Sequence, residues 1–267
     1  MKRVGIIGAG NLGGSVARLF KKNLGVNDSI AVSNKPINDF HQCTNIENIL
    51  RSNILILCVK PEQTMNALEE IKNTKMTYKL NTSPLLISFI TGVSLNFYEK
   101  HLGNIPIIRC TADISISKEE GAIIYVCNDK VDESLRNTFN ELVKGVNKPD
   151  VENKNKINIK EVEDEKLIDI STVLNGCGPA YLSYLFREFI HFGNQNGFSE
   201  EEASQLFLST VQGTTNLLKS RSPQEIIDIV SSPGGITEKG ISFLEESGTV
   251  NIENLLNYTL NNIKKFD

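Results

Sequence analysis

The chain has little of what builds metal centres or disulfide frameworks. Its five cysteines (Cys43, Cys58, Cys110, Cys127 and Cys177) include no Cys-x-x-Cys pair, and its three histidines (His41, His101 and His191) are equally scattered. No metal site is expected from such spacing, and the thiols read as reduced core residues of a cytoplasmic protein. An excess of charge is also missing. Lys and Arg number 28 against 32 Asp and Glu, for a net charge of −4, and no basic block stands in the ordered part. A nucleic-acid or membrane-surface partner therefore lacks electrostatic support. Long apolar runs are absent too. Val4 to Ile7 is too short for the apolar core of a signal peptide, and no stretch approaches the roughly 20 residues that span a bilayer. What remains is 267 residues, 40% hydrophobic and 22% charged. That is soluble-globular composition, enough for one large domain or two ordinary ones.

What is present begins at once. Val4-Gly5-Ile6-Ile7 is a short buried-strand run that leads into Gly8-Ala9-Gly10-Asn11-Leu12-Gly13. A helical pattern follows, with Val16, Ala17, Leu19 and Phe20 on one side. Strand, glycine turn and helix form the setting in which Gly-x-Gly-x-x-Gly signals a dinucleotide. Gly8 allows the tight turn, Gly10 admits a pyrophosphate close to the backbone, and Gly13 lets helix and strand pack. The helix start at Asn11 and Leu12 adds partial positive charge for the phosphates. Ser29 to Val32 reads as the second strand, and Ser33-Asn34-Lys35 follows it where an NAD-preferring site would carry an acid. Two neutral hydrogen-bonding groups and a cation favour a ribose phosphate, so NADPH is the expected cofactor, with NADH the second choice. Ser-Asn-Lys-Pro as a plain polar turn is the alternative.

Further strands are expected over Asn53 to Val59, Leu85 to Phe89, Ile105 to Arg109 and Gly121 to Val126, alternating with helices. The fold class is therefore α/β: a Rossmann-like, doubly wound, largely parallel sheet. Residues 145–160 are rich in Asn and Lys and read as a loop closing a 1–160 nucleotide domain. From 161 to 267 the pattern is all helical. Tyr181, Leu182, Leu185, Phe186, Phe189, Ile190 and Phe192 give one helix more apolar surface than a single stripe needs, which points to burial against a partner subunit. Ser199 with Glu202 makes a capping box for the next helix. Near the end, Ser231-Ser232-Pro233-Gly234-Gly235 breaks one amphipathic run and opens another. Such a bend presents bare N–H groups and suits a small carboxylate, or else is simply an interhelical turn.

This last stretch resembles the signature of the pyrroline-5-carboxylate reductases, with Pro223, Ser232-Pro233-Gly234-Gly235, Thr237, Gly240, Ile241 and Leu244-Glu245 matching in place. Residues 164–169 and Asn175-Gly176-Cys177-Gly178-Pro179-Ala180-Tyr181 are similar to family stretches, as are Val59-Lys60-Pro61 at the edge of the cofactor site and Thr91-Gly92-Val93. Cys177 stands where serine is usual; with no histidine near in sequence, an inert small residue is expected rather than a nucleophile. The resemblance implies NADPH-dependent reduction of 1-pyrroline-5-carboxylate to L-proline, the final step of proline biosynthesis. It implies substrate held at Gly234, Gly235, Ile236 and Thr237, and catalytic work by Thr237 and the Ser232 hydroxyl, with Thr237 bonding the ring nitrogen. It also implies a homodimer, or a larger assembly of dimers, with the site shared between chains.

One segment departs from the family. Cys110-Thr111-Ala112-Asp113-Ile114 replaces Met-Pro-Asn-Thr-Pro, so a carboxylate at Asp113 is expected beside the substrate, opposing the substrate's own charge. Two other readings stay open. A degenerate relative would bind nucleotide without turnover. A hydroxyacid dehydrogenase would share the two-domain plan, but its usual lysine is missing between Tyr181 and Asn194.

Overall fold

The computed structural model describes residues 2–24, 29–32, 49–77, 83–145, 156–247 and 251–266. It divides into two compact units, Met1–Pro179 with Thr259–Asp267, and Ala180–Tyr258.

The first unit is built on a seven-stranded sheet ordered β2-β1-β3-β4-β5-β6-β7. The strands are β1 (Arg3–Ile7), β2 (Ser29–Val32), β3 (Ile54–Leu57), β4 (Leu85–Ser88), β5 (Ile107–Ala112), β6 (Ala122–Cys127) and β7 (Asn158–Glu161). All neighbours run parallel except β5 and β6. Because side chains alternate across a strand, each apolar run feeds two cores. Ile54 and Ile56 face one core with Val16, Leu19 and Phe20 of helix α1 (Asn11–Asn23) and Phe139 and Leu142 of α4 (Glu133–Lys144). Leu55 and Leu57 face the other, with Leu68 and Ile71 of α2 (Thr64–Thr77) and Phe97 and Tyr98 of α3 (Leu95–Leu102). This is the doubly wound parallel sheet expected from the sequence.

Three expectations move. The fifth strand does not end at Arg109 but runs to Ala112, pairing Cys110, Thr111 and Ala112 with Tyr125, Ile124 and Ile123. With no proline in these positions, every N–H needed for the ladder is available. The stretch read as a loop over 145–160 contains β7, whose Ile159 pairs with Ile123, while Ile157 is buried in the core; residues 146–155 lie outside the described part. The same unit continues through α5 (Lys166–Ser171) and a π-helical turn (Thr172–Gly176), so its boundary falls at Pro179 rather than at 160. The charges of Glu165 and Asp169 belong to this unit because Arg109, buried in β5, needs them as partners.

The second unit is helical: most of α6 (Gly178–Gln195), then α7 (Glu200–Leu217), α8 (Pro223–Val230), α9 (Ile236–Ser247) and the start of α10 (Ile252–Asn261). Capping boxes at Ser199 with Glu202 and at Ser222 with Glu225 set two of the helix starts. Phe207 stacks on Phe189 at 4.3 Å and meets Phe186 edge-on at 5.0 Å. Yet Ala203 is the one buried residue of this unit among those described, and Phe189, Phe192, Phe243 and Tyr258 are each more than half exposed. A unit with this much uncovered apolar surface has no core of its own.

Candidate functional site

The glycine turn is positioned by strand β1 and helix α1. Gly8 has φ of +98°, and a Cβ there would stand 2.6 Å from the Cys58 carbonyl, at the end of β3. A Cβ at Gly13 would come within 2.0 Å of the Gly8 oxygen, so helix and turn touch backbone to backbone. Gly10 is different: a Cβ there would meet nothing within 4 Å. It is the N-cap of α1, gives no side-chain cap, and is followed by no acid in the first turn. The helix therefore starts at an open Gly10, with Asn11 exposed and Leu12 partly so, and its unpaired early N–H groups and dipole stand behind that space, as a pyrophosphate requires.

Val59 is partly buried beneath this turn, while Lys60 is exposed at the start of a single 3-10 turn with Pro61 at its first position. Ser33, Asn34 and Lys35 lie outside the described residues. Beyond the ends of β3 and β4 lies an open cavity of about 380 Å³, lined in part by Pro61, Thr91, Thr172, Val173 and Cys177. Thr172 begins the π-helical turn, a local geometry often found at functional sites. Its hydroxyl lies 2.9 Å from the Ile168 carbonyl and 3.2 Å from the Thr111 hydroxyl. Cys177 is half-buried at this wall. The deeper thiols are inert by environment: burial pushes Cys58 and Cys110 well above the ordinary range, and Cys127 up to about 12.

Asp113 does not face this cavity. Its carboxylate is buried and caps the short 3-10 helix Ile114–Lys118, accepting from Ser115 N at 2.8 Å, from the Ser115 hydroxyl, and from Ala122 N at 3.0 Å. The expectation of a charge opposing the substrate is thus overturned: a short acid next to a turn finds local N–H partners first. The Asp113→Ala variant is expected to lose about 2 kcal/mol of stability, because buried donors would be left unpaired. Its KM for the substrate should stay unchanged, which steady-state kinetics beside denaturant unfolding can check.

The second candidate element, in the helical unit, is the loop 231–235. Gly234 takes φ of +74°, and its N–H donates to Glu238 Oε2 at 2.7 Å. The Gly235 N–H turns back to the Ser232 carbonyl at 2.9 Å, and a Cβ at Gly235 would press on the Ser232 hydroxyl. Of the backbone donors expected to hold a carboxylate, those of Gly234 and Gly235 are therefore engaged within the loop. Ile236 and Thr237 carry the first N–H groups of α9, where helix geometry supplies no partner. Ile236 is 89% exposed and Thr237 is half-buried.

Sequence reading missed two features. One is the buried ionic cluster: Arg109 Nη1 to Glu165 Oε1 at 2.8 Å, Arg109 Nη2 to Asp169 Oδ1 at 2.6 Å, with Lys265 also on Asp169. An arginine inside an apolar strand, followed by acids at 165 and 169, was the available signal. The other is the segment 259–266, which returns to the first unit and lines the cavity with Thr259, Asn262, Ile263 and Lys264. Nothing local signals that return. Among the described residues no helix is long and apolar enough to cross a membrane, and no cluster of His, Cys, Asp and Glu could hold a metal.

Known proteins resemble the chain along most of its length. Residues 165–255 match the family described as pyrroline-5-carboxylate reductase dimerisation. The pyrroline-5-carboxylate reductase of Aquifex aeolicus is 30% identical over 258 residues, covering 92% of this chain and 90% of that protein. That of Pseudomonas aeruginosa is 26% identical, over 92% of this chain and 89% of its own. Among solved structures, Plasmodium falciparum pyrroline carboxylate reductase with NADP bound superposes with a TM-score of 0.83 at 26% identity, covering 98% of this chain and 97% of that one. The Streptococcus pyogenes 1-pyrroline-5-carboxylate reductase gives 0.81 at 21% identity, over 97% of each chain, and supports the fold.

Proposed function

The chain belongs to the pyrroline-5-carboxylate reductase family, and on that premise we propose that it reduces 1-pyrroline-5-carboxylate to L-proline at the expense of NADPH. The observation that carries this reading is the 30% identity to the Aquifex aeolicus reductase over 92% of the chain. The open Gly10 cradle at the start of α1 fits a dinucleotide. When bound, the reduced nicotinamide supplies the hydride that adds to the ring carbon of the protonated C=N bond.

Reduction of a protonated imine asks little acid–base work of the protein. It needs a fixed approach and a held substrate. In our reading the N–H groups of Asn11, Leu12 and Gly13 bind the pyrophosphate. Ser33, Asn34 and Lys35 take the ribose phosphate, and Val59, Lys60 and Pro61 border the cofactor. The N–H groups of Ile236 and Thr237 hold the substrate carboxylate, with Ser232 beside them, and the Thr237 hydroxyl bonds the ring nitrogen. Gly234 and Gly235 shape the loop by folding its remaining donors inward. The active form is a homodimer, or an assembly of dimers, because the helical unit leaves its aromatic surface uncovered. The cytoplasm is the proposed compartment, supported by the free thiols of Cys58, Cys110, Cys127 and Cys177.

The test is NADPH oxidation with pyrroline-5-carboxylate as the variable substrate, set against a small hydroxyacid with NADP+. Turnover only with the hydroxyacid would overturn the proposal. The same assay addresses cofactor choice. NADPH is expected to bind better than NADH, and Lys35→Glu to narrow that preference by about tenfold, the worth of one charge-assisted phosphate contact. Equal affinity for both cofactors in the unaltered protein would remove Lys35 from the site.

A further inference from the structure

The returning segment 259–266 is held against the sheet by contacts of three kinds. Its backbone forms a parallel bridge: Phe266 N donates to the Gly92 carbonyl at 2.8 Å, and Ser94 N donates to the Phe266 carbonyl at 3.2 Å. The Phe266 ring meets Phe97 edge-on at 6.2 Å, at the margin of the core. Lys265 pairs with Asp169, which is buried and already bonded to Arg109. The approach is so close that a Cβ at Gly92 would come within 1.9 Å of the Lys264 carbonyl, and Gly92 itself has φ of +80°. A substituent there is excluded on both grounds.

What this fastening fixes is one side of the cavity. Thr91 precedes the clamped Gly92 on one wall, and Ile263 and Lys264 precede Lys265 on the other. The sheet order tells which part of a dinucleotide would reach this place. In a doubly wound sheet the ligand lies across the carboxyl ends of the strands, with the pyrophosphate over the first glycine turn and the ribose of the adenosine half at the end of the second strand. Here β2 flanks β1 on one side and β3 then β4 flank it on the other. With the adenosine half toward β2 and the pyrophosphate at β1, the other half of the cofactor would extend over β3 and β4. Pro61 follows β3 and Thr91 follows β4, and both line the cavity.

We infer that the segment 259–266 is a wall of the cofactor site at its nicotinamide end, and that Lys265 is a positioning residue that holds this wall through Asp169. This rests on the cofactor reading above. It adds that binding of the redox half, but not of the adenosine half, depends on residues far away in sequence from the glycine turn.

The experiment is equilibrium binding without substrate, by fluorescence titration, with two probes: NADPH, and the adenosine bisphosphate half of the cofactor alone. Lys265→Met keeps the stem and removes the anchor, Lys265→Arg restores a cation, and Ile263→Phe adds bulk at the cavity. NADPH is expected to bind about tenfold more weakly to Lys265→Met and Ile263→Phe, and as in the unaltered protein to Lys265→Arg. The adenosine half should bind all four proteins alike. NADPH affinity unchanged in both weakened variants, or equal loss for both probes, overturns the wall. Failure of the unaltered protein to bind NADPH at all would overturn the cofactor reading first, and the wall with it.

Discussion

Thr237→Val is expected to lower kcat/KM for pyrroline-5-carboxylate by about ten- to a hundredfold while leaving the protein folded and its NADPH affinity unchanged. Valine has nearly the shape of threonine and the same branching at Cβ, so the first turn of α9 loses a hydroxyl and little else. Thr237 is half-buried there, behind the exposed Ile236. A hydrogen bond to a charged ring nitrogen contributes about 1.5–3 kcal/mol. Because the charge on the nitrogen is altered as the C=N bond is reduced, the loss should fall on both kcat and KM. The measurement is steady-state kinetics beside a thermal melt. Unchanged turnover in a stably folded variant would make the loop 231–237 an interhelical turn and nothing more.

The second large effect concerns stability. Arg109→Met is expected to destabilise the first unit by about 3 kcal/mol, since removal of one partner leaves a buried carboxylate short of charge. Arg109 is 3% exposed and Asp169 4%. The figure stays at the lower end because Lys265 remains on Asp169 and Glu165 is partly solvated. Glu165 also accepts from Leu95 N at 2.8 Å, so the variant should loosen the start of α3 as well. Adding Asp169→Leu should recover part of the loss, because a fully apolar replacement leaves no buried charge unpaired. Denaturant unfolding at fixed protein concentration checks both variants. A single variant as stable as the parent would show that water, rather than Arg109, compensates Asp169.

The parts legible in the sequence were those whose signal is local. Gly8, Gly10 and Gly13 sit within one strand–turn–helix unit, and each has the environment its spacing announced. The capping box at Ser199 and Glu202 is read within four residues and recurs in the structure. Asp113 was misread because its charge was weighed against a distant ligand, whereas its own neighbours Ser115 and Ala122 compete for it first. Strand β7 was hidden because an edge strand can be polar: of Asn158 to Glu161, Ile159 alone is apolar. The return of 259–266 to Gly92, and the bond from Lys265 to Asp169, join residues far apart in the chain. Periodicity and capping carry no information about such a contact.

The most direct test of the central claim follows the hydride itself. NADPH deuterated at its hydride-donating carbon is incubated with the protein and pyrroline-5-carboxylate, and the product is examined by mass spectrometry and NMR. L-Proline carrying the deuterium on the ring carbon bonded to nitrogen, opposite the carbon bearing the carboxylate, is the predicted result. Consumption of NADPH without labelled proline, or no consumption by folded protein that binds the cofactor, would contradict it.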